Sequence, residues 1–185
     1  MRDSVEVKRS RIDGSIVCPP SKSYTHRAIV ISSLVDDGKA SIIRNALLAR
    51  DTNATIHGCR VLGSYIELDD EDSSNSSSNS NSSSNSSNSS NSDASMRRGR
   101  MLIVHGRREF TIGYREIDAE NSGTTIRMLS AVSSLVKEGS TLLYGDASLN
   151  RRPMQPLLDA LNQLGVQCRS LAYGTPPLLI NGGGM

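Results

Sequence analysis

The chain has 185 residues and a formal net charge of only +2, with 21 Lys plus Arg against 19 Asp plus Glu. This balance gives no overall field for nucleic acid, and one Phe, five Tyr and no Trp are too few for base-stacking platforms. No apolar run approaches the ~20 residues of a membrane span, and the start lacks the apolar region of a signal peptide. We therefore expect neither nucleic acid nor membrane as a partner.

The three cysteines also restrict the choice. Cys18, Cys59 and Cys168 are odd in number, far apart and without a CxxC pair. This usage is typical of a reduced, cytoplasmic protein and argues against a metal site. We expect each cysteine to be a small core residue.

The first predicted elements are a strand at Ser15–Cys18 and a helix from Ser23 to Leu34. The run from Pro20 to Arg27 (PSKSYTHR) places one Lys, one Arg and three aliphatic hydroxyls at the start of this helix. Unpaired N–H groups at a helix start attract anions, so the run indicates an oxyanion-binding site. The alternative is an ordinary Ser-capped helix with two surface cations.

A strand and a second helix follow, and then a hairpin. We expect a strand at Ser41–Arg44 and a helix from Thr52 to Leu62, capped by Asp51 and ended by a glycine. The hairpin strands are Tyr65–Leu68 and Met101–Val104. Between them, residues 73–92 contain only Ser and Asn, a composition that predicts a disordered loop because it offers nothing to bury.

The second half opens on another candidate anion site. Asn121 to Arg127 (NSGTTIR) provides a cap, a glycine that allows close backbone approach, and an arginine one turn later. The remaining expected elements are helices Thr124–Val136 and Met154–Leu164 and strands Thr141–Tyr144, Val166–Ser170 and Leu178–Ile180. Alternating strands and helices predict an α/β (α+β) fold.

The two halves resemble each other at a period of about 100 residues, too long for a solenoid array. The matching pairs are Thr25-His26-Arg27 with Thr125-Ile126-Arg127, Ser32–Val35 with Ser133–Val136, Leu62-Gly63 with Leu164-Gly165, and Arg50 with Arg152. The pattern predicts a duplicated α/β unit with one anion-facing helix start in each copy.

Three ordered motifs carry a family resemblance: PSKSYTHRA, NSGTTIR and GDASLNRRPMQPLLDALNQLG. Together they resemble the amino-terminal part of the 5-enolpyruvylshikimate-3-phosphate synthase family. The resemblance implies βαβαββ units in an inside-out barrel fold, three to a domain, with two domains facing across a cleft. Two units are expected here, at residues 15–104 and 112–181. Residues 1–14 would form a strand segment that reaches the second domain, while the third unit and the second domain are absent.

The resemblance also implies the chemistry, which belongs to the shikimate pathway of aromatic amino acid biosynthesis. The family transfers the enolpyruvyl group of phosphoenolpyruvate to the 5-hydroxyl of shikimate 3-phosphate, with no metal or organic cofactor. By resemblance, Lys22 is the catalytic residue of this half and contacts both substrates. Ser23 and Arg27 bind shikimate 3-phosphate, and Gly123 and Arg152 bind phosphoenolpyruvate. Site-shaping roles fall to the remaining motif residues: Asn121, Thr124 and Arg127.

Each assignment has a plainer alternative. Lys22 and Arg27 are solvated cations in the alternative, and Gly123 is a turn glycine. The alternative to Arg152 as the inward-facing arginine is its neighbour Arg151. For the other polar residues the structural role is favoured: an ion pair for Arg127, a helix cap for Asp51, and no catalytic role for His26, His57 and His105.

The resemblance implies that the groups for proton transfer lie in the absent carboxy-terminal part, so we expect this chain alone to be inactive and to need that complementary part. The full-length enzyme is expected to be a monomer. Three alternatives remain open: a relative of UDP-N-acetylglucosamine enolpyruvyl transferase, an RNA-cyclase-like protein, and a non-catalytic anion-binding fragment. Lys22-Ser23, where the first alternative should have Lys-Asn, counts against it.

Overall fold

The computed structural model describes residues 9, 11, 13–16, 18–35, 37–69, 100–106 and 113–183. These contain four α-helices: α1 (Lys22–Leu34), α2 (Arg50–Val61), α3 (Gly123–Ser133) and α4 (Gln155–Gln163). The strands are β1 (Ala40–Ala46), β2 (Tyr65–Asp69), β3 (Arg100–His105), β4 (Gly113–Asp118), β5 (Gly139–Tyr144), β6 (Cys168–Ala172) and β7 (Thr175–Asn181). A short 3-10 helix at Leu149–Arg151 precedes α4. None of the described helices is long and apolar enough to cross a membrane.

The two sheets show that the internal repeat is structural. The first sheet has the order β1-β3-β2, and the second has β4-β5-β7-β6. Matched in chain order, α1-β1-α2-β2-β3 corresponds to α3-β5-α4-β6-β7, so β1 corresponds to β5, β2 to β6 and β3 to β7. In each unit the last strand lies between the other two and pairs antiparallel with both. The two units therefore share one topology, and the second unit adds β4, parallel to β5.

Serine caps begin the helices that open each unit. The Oγ of Ser21 accepts from the backbone N–H of Tyr24 at 3.4 Å, and that of Ser122 accepts from the N–H of Thr125 at 3.1 Å. These bonds satisfy one of the free donors at each helix start.

One continuous apolar core joins the units. It includes Ile29 of α1, Ile56 of α2, Leu102 of β3, Leu129 of α3 and Leu143 of β5. Gly58 lies at the contact between α2 and α3, where an added Cβ would lie 2.1 Å from Cδ1 of the buried Leu129. Only a residue without a side chain lets the two helices approach this closely.

Most element predictions are confirmed to within a few residues. The hairpin strands pair antiparallel as β2 and β3, and α1 begins one residue before the predicted start. α3 ends three residues early, at Ser133, where the backbone N–H groups of the next three residues bond to carbonyls only three residues back. The predicted strand Ser15–Cys18 is wrong, since Ser15, Ile16 and Cys18 lie in no strand. Ile16 is 93% exposed, and apolar residues without a partner strand do not hold an extended ladder.

The start of α2 also differs from the prediction. The helix begins at Arg50, and Asp51 lies inside its first turn rather than at the cap. Thr52 takes the capping role instead: its Oγ1 accepts from the N–H of Ala49 at 2.9 Å and donates to the carbonyl of Leu47 at 2.7 Å. The carboxylate of Asp51 is therefore free for another partner.

The cysteine prediction is confirmed for one residue of the three. Cys59 is buried in the core, and burial raises the pKa of its thiol to about 11. Cys168 is half-buried, whereas Cys18 is exposed and contradicts the prediction.

Two predictions lie wholly or largely outside the described residues. The Ser/Asn tract at residues 73–92 is one of them. Of the expected amino-terminal segment, residues 1–14, the structure describes only Arg9, Arg11, Asp13 and Gly14, and none of these four is in a strand.

Candidate functional site

The starts of α1, α2 and α3 lie side by side, and Asp51 connects them. Its carboxylate Oδ2 is 2.7 Å from Nζ of Lys22, at the start of α1. Its backbone carbonyl accepts from Oγ1 of Thr125, in the first turn of α3, at 3.2 Å. Three helix N-termini are therefore joined through Asp51, and their partial positive charges lie near one another. The two anion-facing starts predicted from sequence are brought together in space.

The residues predicted on α1 are exposed around this start. Lys22, Ser23 and Arg27 are all exposed. The guanidinium of Arg27 lies 5.9 Å from the centre of the Tyr24 ring, a cation–π contact that restrains it. The Nζ of Lys22 donates a hydrogen bond to the Asp51 carboxylate.

Two arginines lie against Gly123, the buried first residue of α3. A Cβ built there would lie 2.8 Å from Nη1 of Arg127 and 2.9 Å from Nη1 of Arg152. The Nη1 of Arg127 donates to the carbonyl of Gly123 at 3.0 Å. In the part of the chain that the structure describes, Arg127 forms this bond and no ion pair, so the predicted ion pair has no partner there. One turn into α3, the side chain folds back on its own helix start.

Arg152 is half-buried, and its Nη2 donates to Oδ1 of Asn121, the residue just before the cap of α3. Arg151, at the end of the 3-10 helix, is exposed. Thr124 is also exposed, in the first turn of α3. The geometry therefore brings Asn121, Gly123, Arg127 and Arg152 together and leaves Arg151 apart.

The turn before α3 has a strained backbone. Glu120 has φ of 52°, the left-handed region that disfavours residues with a side chain. Its N–H donates to Oδ1 of Asp118 at 2.7 Å, and its carbonyl accepts from the N–H of Asp146 at 2.7 Å. The carboxylate of Glu120 bonds to Nε of Arg50, the first residue of α2. These contacts hold the turn that presents Asn121.

The loop that carries Arg152 is tied to the same turn by Asp146. Oδ1 of Asp146 accepts from the backbone N–H groups of Ser148 and Leu149, at 2.9 and 2.8 Å. The hydrogen bond from Leu149 is the largest cause that lowers the pKa of this carboxyl, and the bonds from Ser148 and from the Asn121 side chain add to it. Asp146 is therefore ionised near neutral pH and fixes the loop.

A chain of buried polar groups runs beneath the surface of the site. Nδ1 of His26 lies 2.7 Å from Oγ1 of Thr55, which lies 2.7 Å from Oγ1 of Thr125. Oγ1 of Thr125 in turn lies 2.7 Å from Oγ of Ser122. Burial lowers the pKa of His26; the charge of Asp51 opposes this effect and that of Lys22 adds to it.

Sequence reasoning missed this chain of hydrogen bonds and the roles of two acids, Glu120 and Asp146. His26 was expected to be isolated, and no spacing in the sequence connects Thr55 to Thr125. Glu120 precedes the NSGTTIR motif directly, and Arg50 is the repeat counterpart of Arg152, so these two could have been found from position alone. Among the described residues, no group of three or more His, Cys, Asp or Glu is placed to hold a metal ion.

Comparisons with known proteins identify the family of this chain. The family model for EPSP synthase (3-phosphoshikimate 1-carboxyvinyltransferase) matches residues 7–103 and 91–185. The 3-phosphoshikimate 1-carboxyvinyltransferase of Nitrosopumilus maritimus is 43% identical over 177 residues, which are 96% of this chain and 34% of that protein. The protein of the same name from Methanocaldococcus jannaschii is 39% identical, over 95% of this chain and 34% of its own length.

The fold has solved counterparts as well. A structure of EPSP synthase from Acinetobacter baumannii matches with a TM-score of 0.64 and 27% sequence identity, over 92% of this chain and 32% of that one. This chain thus spans about a third of the length of the relatives it matches. Since the family model covers nearly the whole sequence and the motif residues converge on one site, the chain belongs to the EPSP synthase (3-phosphoshikimate 1-carboxyvinyltransferase) family.

Proposed function

We propose that this chain is the amino-terminal part of an enzyme that transfers the enolpyruvyl group of phosphoenolpyruvate to the 5-hydroxyl of shikimate 3-phosphate, with release of phosphate. The observation that carries the proposal is the meeting of three helix starts with a lysine and two arginines beside them, at motif positions of this family. Both substrates carry several negative charges, and converging N–H donors and fixed cations are the groups that bind such anions.

The α1 side of the site is the proposed place for shikimate 3-phosphate. Ser23 and Arg27 are exposed there and can offer a hydroxyl and a planar guanidinium to the phosphate. Lys22 is the proposed catalytic residue of this half, in contact with both substrates. Its ammonium already has Asp51 as a partner, which fixes its position between α1 and α2.

The α3 side is the proposed place for phosphoenolpyruvate. Gly123 lets a carboxylate or phosphate approach the free N–H groups of the helix start, where the guanidinium of Arg152 also lies. The contacts described above support distinct proposed tasks for the three site-shaping residues. Asn121 orients Arg152, Arg127 covers the first turn, and Thr124 contributes its exposed hydroxyl there.

The proposed reaction needs positioned acids and bases, one for the methylene of phosphoenolpyruvate and one for the 5-hydroxyl. The resemblance assigns these groups to a part of the enzyme outside this chain. We therefore infer that the 185-residue chain binds substrate anions but does not turn them over, and that it needs a complementary part. The two βαβαββ units at 15–104 and 112–181, a monomeric whole enzyme, a cytoplasmic location and a reaction without cofactor belong to the same proposal.

One titration with two readouts tests this proposal. Shikimate 3-phosphate should bind to the purified chain, measured by calorimetry, and Lys22→Ala should weaken binding by about tenfold or more, because a charge-assisted hydrogen bond is lost. Lys39→Ala, at an exposed lysine before β1, is the matched control and should bind like the parent chain. Adding phosphoenolpyruvate should release no phosphate above background.

Either of two outcomes would contradict the proposal. Equal loss of affinity in Lys22→Ala and Lys39→Ala would mean that binding follows overall charge and not the helix starts. Sustained phosphate release by the purified chain would mean that it carries its own acid and base.

A further inference from the structure

His26 is a buried polar residue for which the proposed chemistry provides no role. It lies in the second turn of α1, only 1% exposed, and its Nδ1 is 2.7 Å from Oγ1 of Thr55. Its Nε2 is buried and has no hydrogen-bond partner among the described residues. A buried ring with one bonded and one unbonded nitrogen has a preferred proton position, and the neighbouring hydroxyls determine which one.

The hydroxyl protons can be assigned by counting. Each threonine hydroxyl has one proton to donate. Oγ1 of Thr125 has two acceptors within reach, Oγ of Ser122 at 2.7 Å and the carbonyl of Asp51 at 3.2 Å. If its proton goes to either of these, Thr125 must accept from Thr55. The proton of Thr55 is then used, and His26 must be the donor from Nδ1.

Hydrogen bonds donated in the opposite direction, from Ser122 towards His26, are less favourable. If Ser122 donated to Thr125, Thr125 to Thr55 and Thr55 to His26, the ring proton would sit on Nε2. That N–H would be a buried donor without an acceptor, and unpaired buried N–H groups are rarer than unpaired buried acceptors. The carbonyl of Asp51 would also lose its bond from Thr125.

We propose that His26 is a positioning residue, a neutral imidazole with its proton on Nδ1, which fixes the cap of α3 relative to the start of α1 through Thr55, Thr125 and Ser122. The inference rests on the proposed function, since the cap of α3 presents Gly123 to the anion. Two helix starts from different units then keep one spacing because a buried chain of hydrogen bonds joins them. The proposed function requires a fixed spacing here, since Lys22 and Gly123 are both proposed to contact phosphoenolpyruvate.

Protonation of His26 should weaken this chain of hydrogen bonds. The imidazolium would carry a second buried N–H on Nε2, again without an acceptor. The charged groups that act on the ring are Asp51, at the start of α2, and Lys22, on its own helix. Thr55 of α2 links the ring to the hydroxyl of Thr125 on α3. On β3, which also packs against α1, the buried side chains are the apolar Leu102 and Val104. Because the folded-state pKa is lowered, this contribution to stability is lost as the pH falls below about 6.5.

The proton position can be measured without any substitution. Long-range ¹H–¹⁵N correlation spectra of the ¹⁵N-labelled chain near neutral pH report which ring nitrogen of each histidine is protonated. We expect His26 to have its proton on Nδ1, and the exposed His57, assigned by His57→Leu, to serve as the reference ring. A proton on Nε2 of His26 would overturn the direction of the chain and with it the proposal.

The positioning role needs matched variants. His26→Leu removes the donor, whereas His26→Asn restores an N–H near the Nδ1 position; Thr125→Val removes the next hydroxyl at similar size. His26→Leu and Thr125→Val should shift the backbone amide signals of Ser122 and Gly123 and weaken phosphoenolpyruvate binding up to about tenfold, the effect of one buried hydrogen bond. His26→Asn should recover most of the affinity, and His57→Leu should match the parent chain.

The amide signals and the binding data separate two failures. If His26→Leu is folded and leaves the signals of Ser122, Gly123 and Thr125 unchanged, the positioning role is wrong. It is also wrong if His26→Asn binds no better than His26→Leu. If no protein in the set, the parent included, binds phosphoenolpyruvate, the proposed function fails, while the amide signals still decide whether His26 sets the start of α3.

Discussion

At the scale of single residues, the site combines cations with neighbouring acids that hold them in place. Lys22 has Asp51 at 2.7 Å, and Arg50 has Glu120. These pairs are exposed to solvent, so they contribute little to stability. Their effect is geometric: a flexible ammonium that would otherwise sample many positions is held at the start of α1. An arriving anion shares Lys22 with Asp51 and does not have to order it.

Lys22 should be the most sensitive substrate contact of this part of the enzyme. In the full-length enzyme, Lys22→Ala should cost on the order of 2–5 kcal/mol of transition-state stabilisation, the range for truncating one partner of a desolvated charge pair. Lys22→Arg should rescue only partly, because a planar fork cannot replace a compact ammonium shared by two anions. Steady-state kcat/KM for both substrates measures this, and an unaffected Lys22→Ala enzyme would refute the anion site on α1.

The neighbouring arginines offer a matched pair one residue apart. Arg152 lies half-buried against Gly123 and Asn121, whereas Arg151 is exposed. In the full-length enzyme, Arg152→Ala should raise the KM for phosphoenolpyruvate, because the charge beside the α3 start is lost. Arg151→Ala should be nearly neutral. A larger effect at Arg151 would mean that the assignment of the arginine is off by one residue.

At the scale of elements, the packing of α2 on α3 determines where the helix starts meet. Gly58 has no side chain at the contact, and Leu129 fills the space with its Cδ1. In an exposed helix, Gly→Ala stabilises by roughly 0.5–1 kcal/mol. Here the added methyl meets a fully buried leucine that has little room to turn away, so the packing cost dominates.

Gly58→Ala should therefore destabilise the chain by about 1–3 kcal/mol, the usual cost of overpacking a core. Urea unfolding followed by circular dichroism measures the change. Asn53→Ala, at an exposed position of α2, is the control and should change the free energy of unfolding by less than about 0.5 kcal/mol. Equal stability of Gly58→Ala and the parent chain would show that α2 and α3 can separate slightly at no cost.

Elements with strong local signals could be predicted from the sequence, and elements that depend on distant partners could not. Ser21 and Ser122 mark their helices by cap chemistry alone. The strand expected at Ser15–Cys18 has the right residues but no partner. The strand Gly113–Asp118 was not predicted, because Tyr, Arg and Glu alternate there with little apolar content and the pairing with β5 stabilises it. The candidate site follows the same rule: its motifs were visible, but the chain through Thr55 joins residues about 70 positions apart.

At the scale of the whole molecule, two copies of one topology share a core. Helix starts from both copies contribute to one site, those of α1 and α2 from the first copy and that of α3 from the second. The order β1-β3-β2 recurs as β5-β7-β6. Such a duplication places the strongest constraints on α1, α2 and α3 and fewer on the hairpin between β2 and β3. Long insertions are therefore tolerated best at that hairpin.

Deletion of residues 73–92 should leave folding intact. The tract contains only Ser and Asn, so it has no apolar side chain to bury, and loop length enters the stability only logarithmically. Urea unfolding of the parent and the deleted chain should differ by less than about 1 kcal/mol. A larger loss of stability would mean that the tract packs on the rest of the molecule.

The extra strand of the second unit has a consequence for the first. β4 pairs with the outer side of β5, whereas β1, the counterpart of β5, has no second partner strand among the described residues. The outer side of β1 therefore presents main-chain N–H and C=O groups that no described strand pairs. Ile42, 52% exposed, lies on this strand. An open edge of this kind is a template for strand addition. β1 is therefore one edge of this chain at which a further strand can pair.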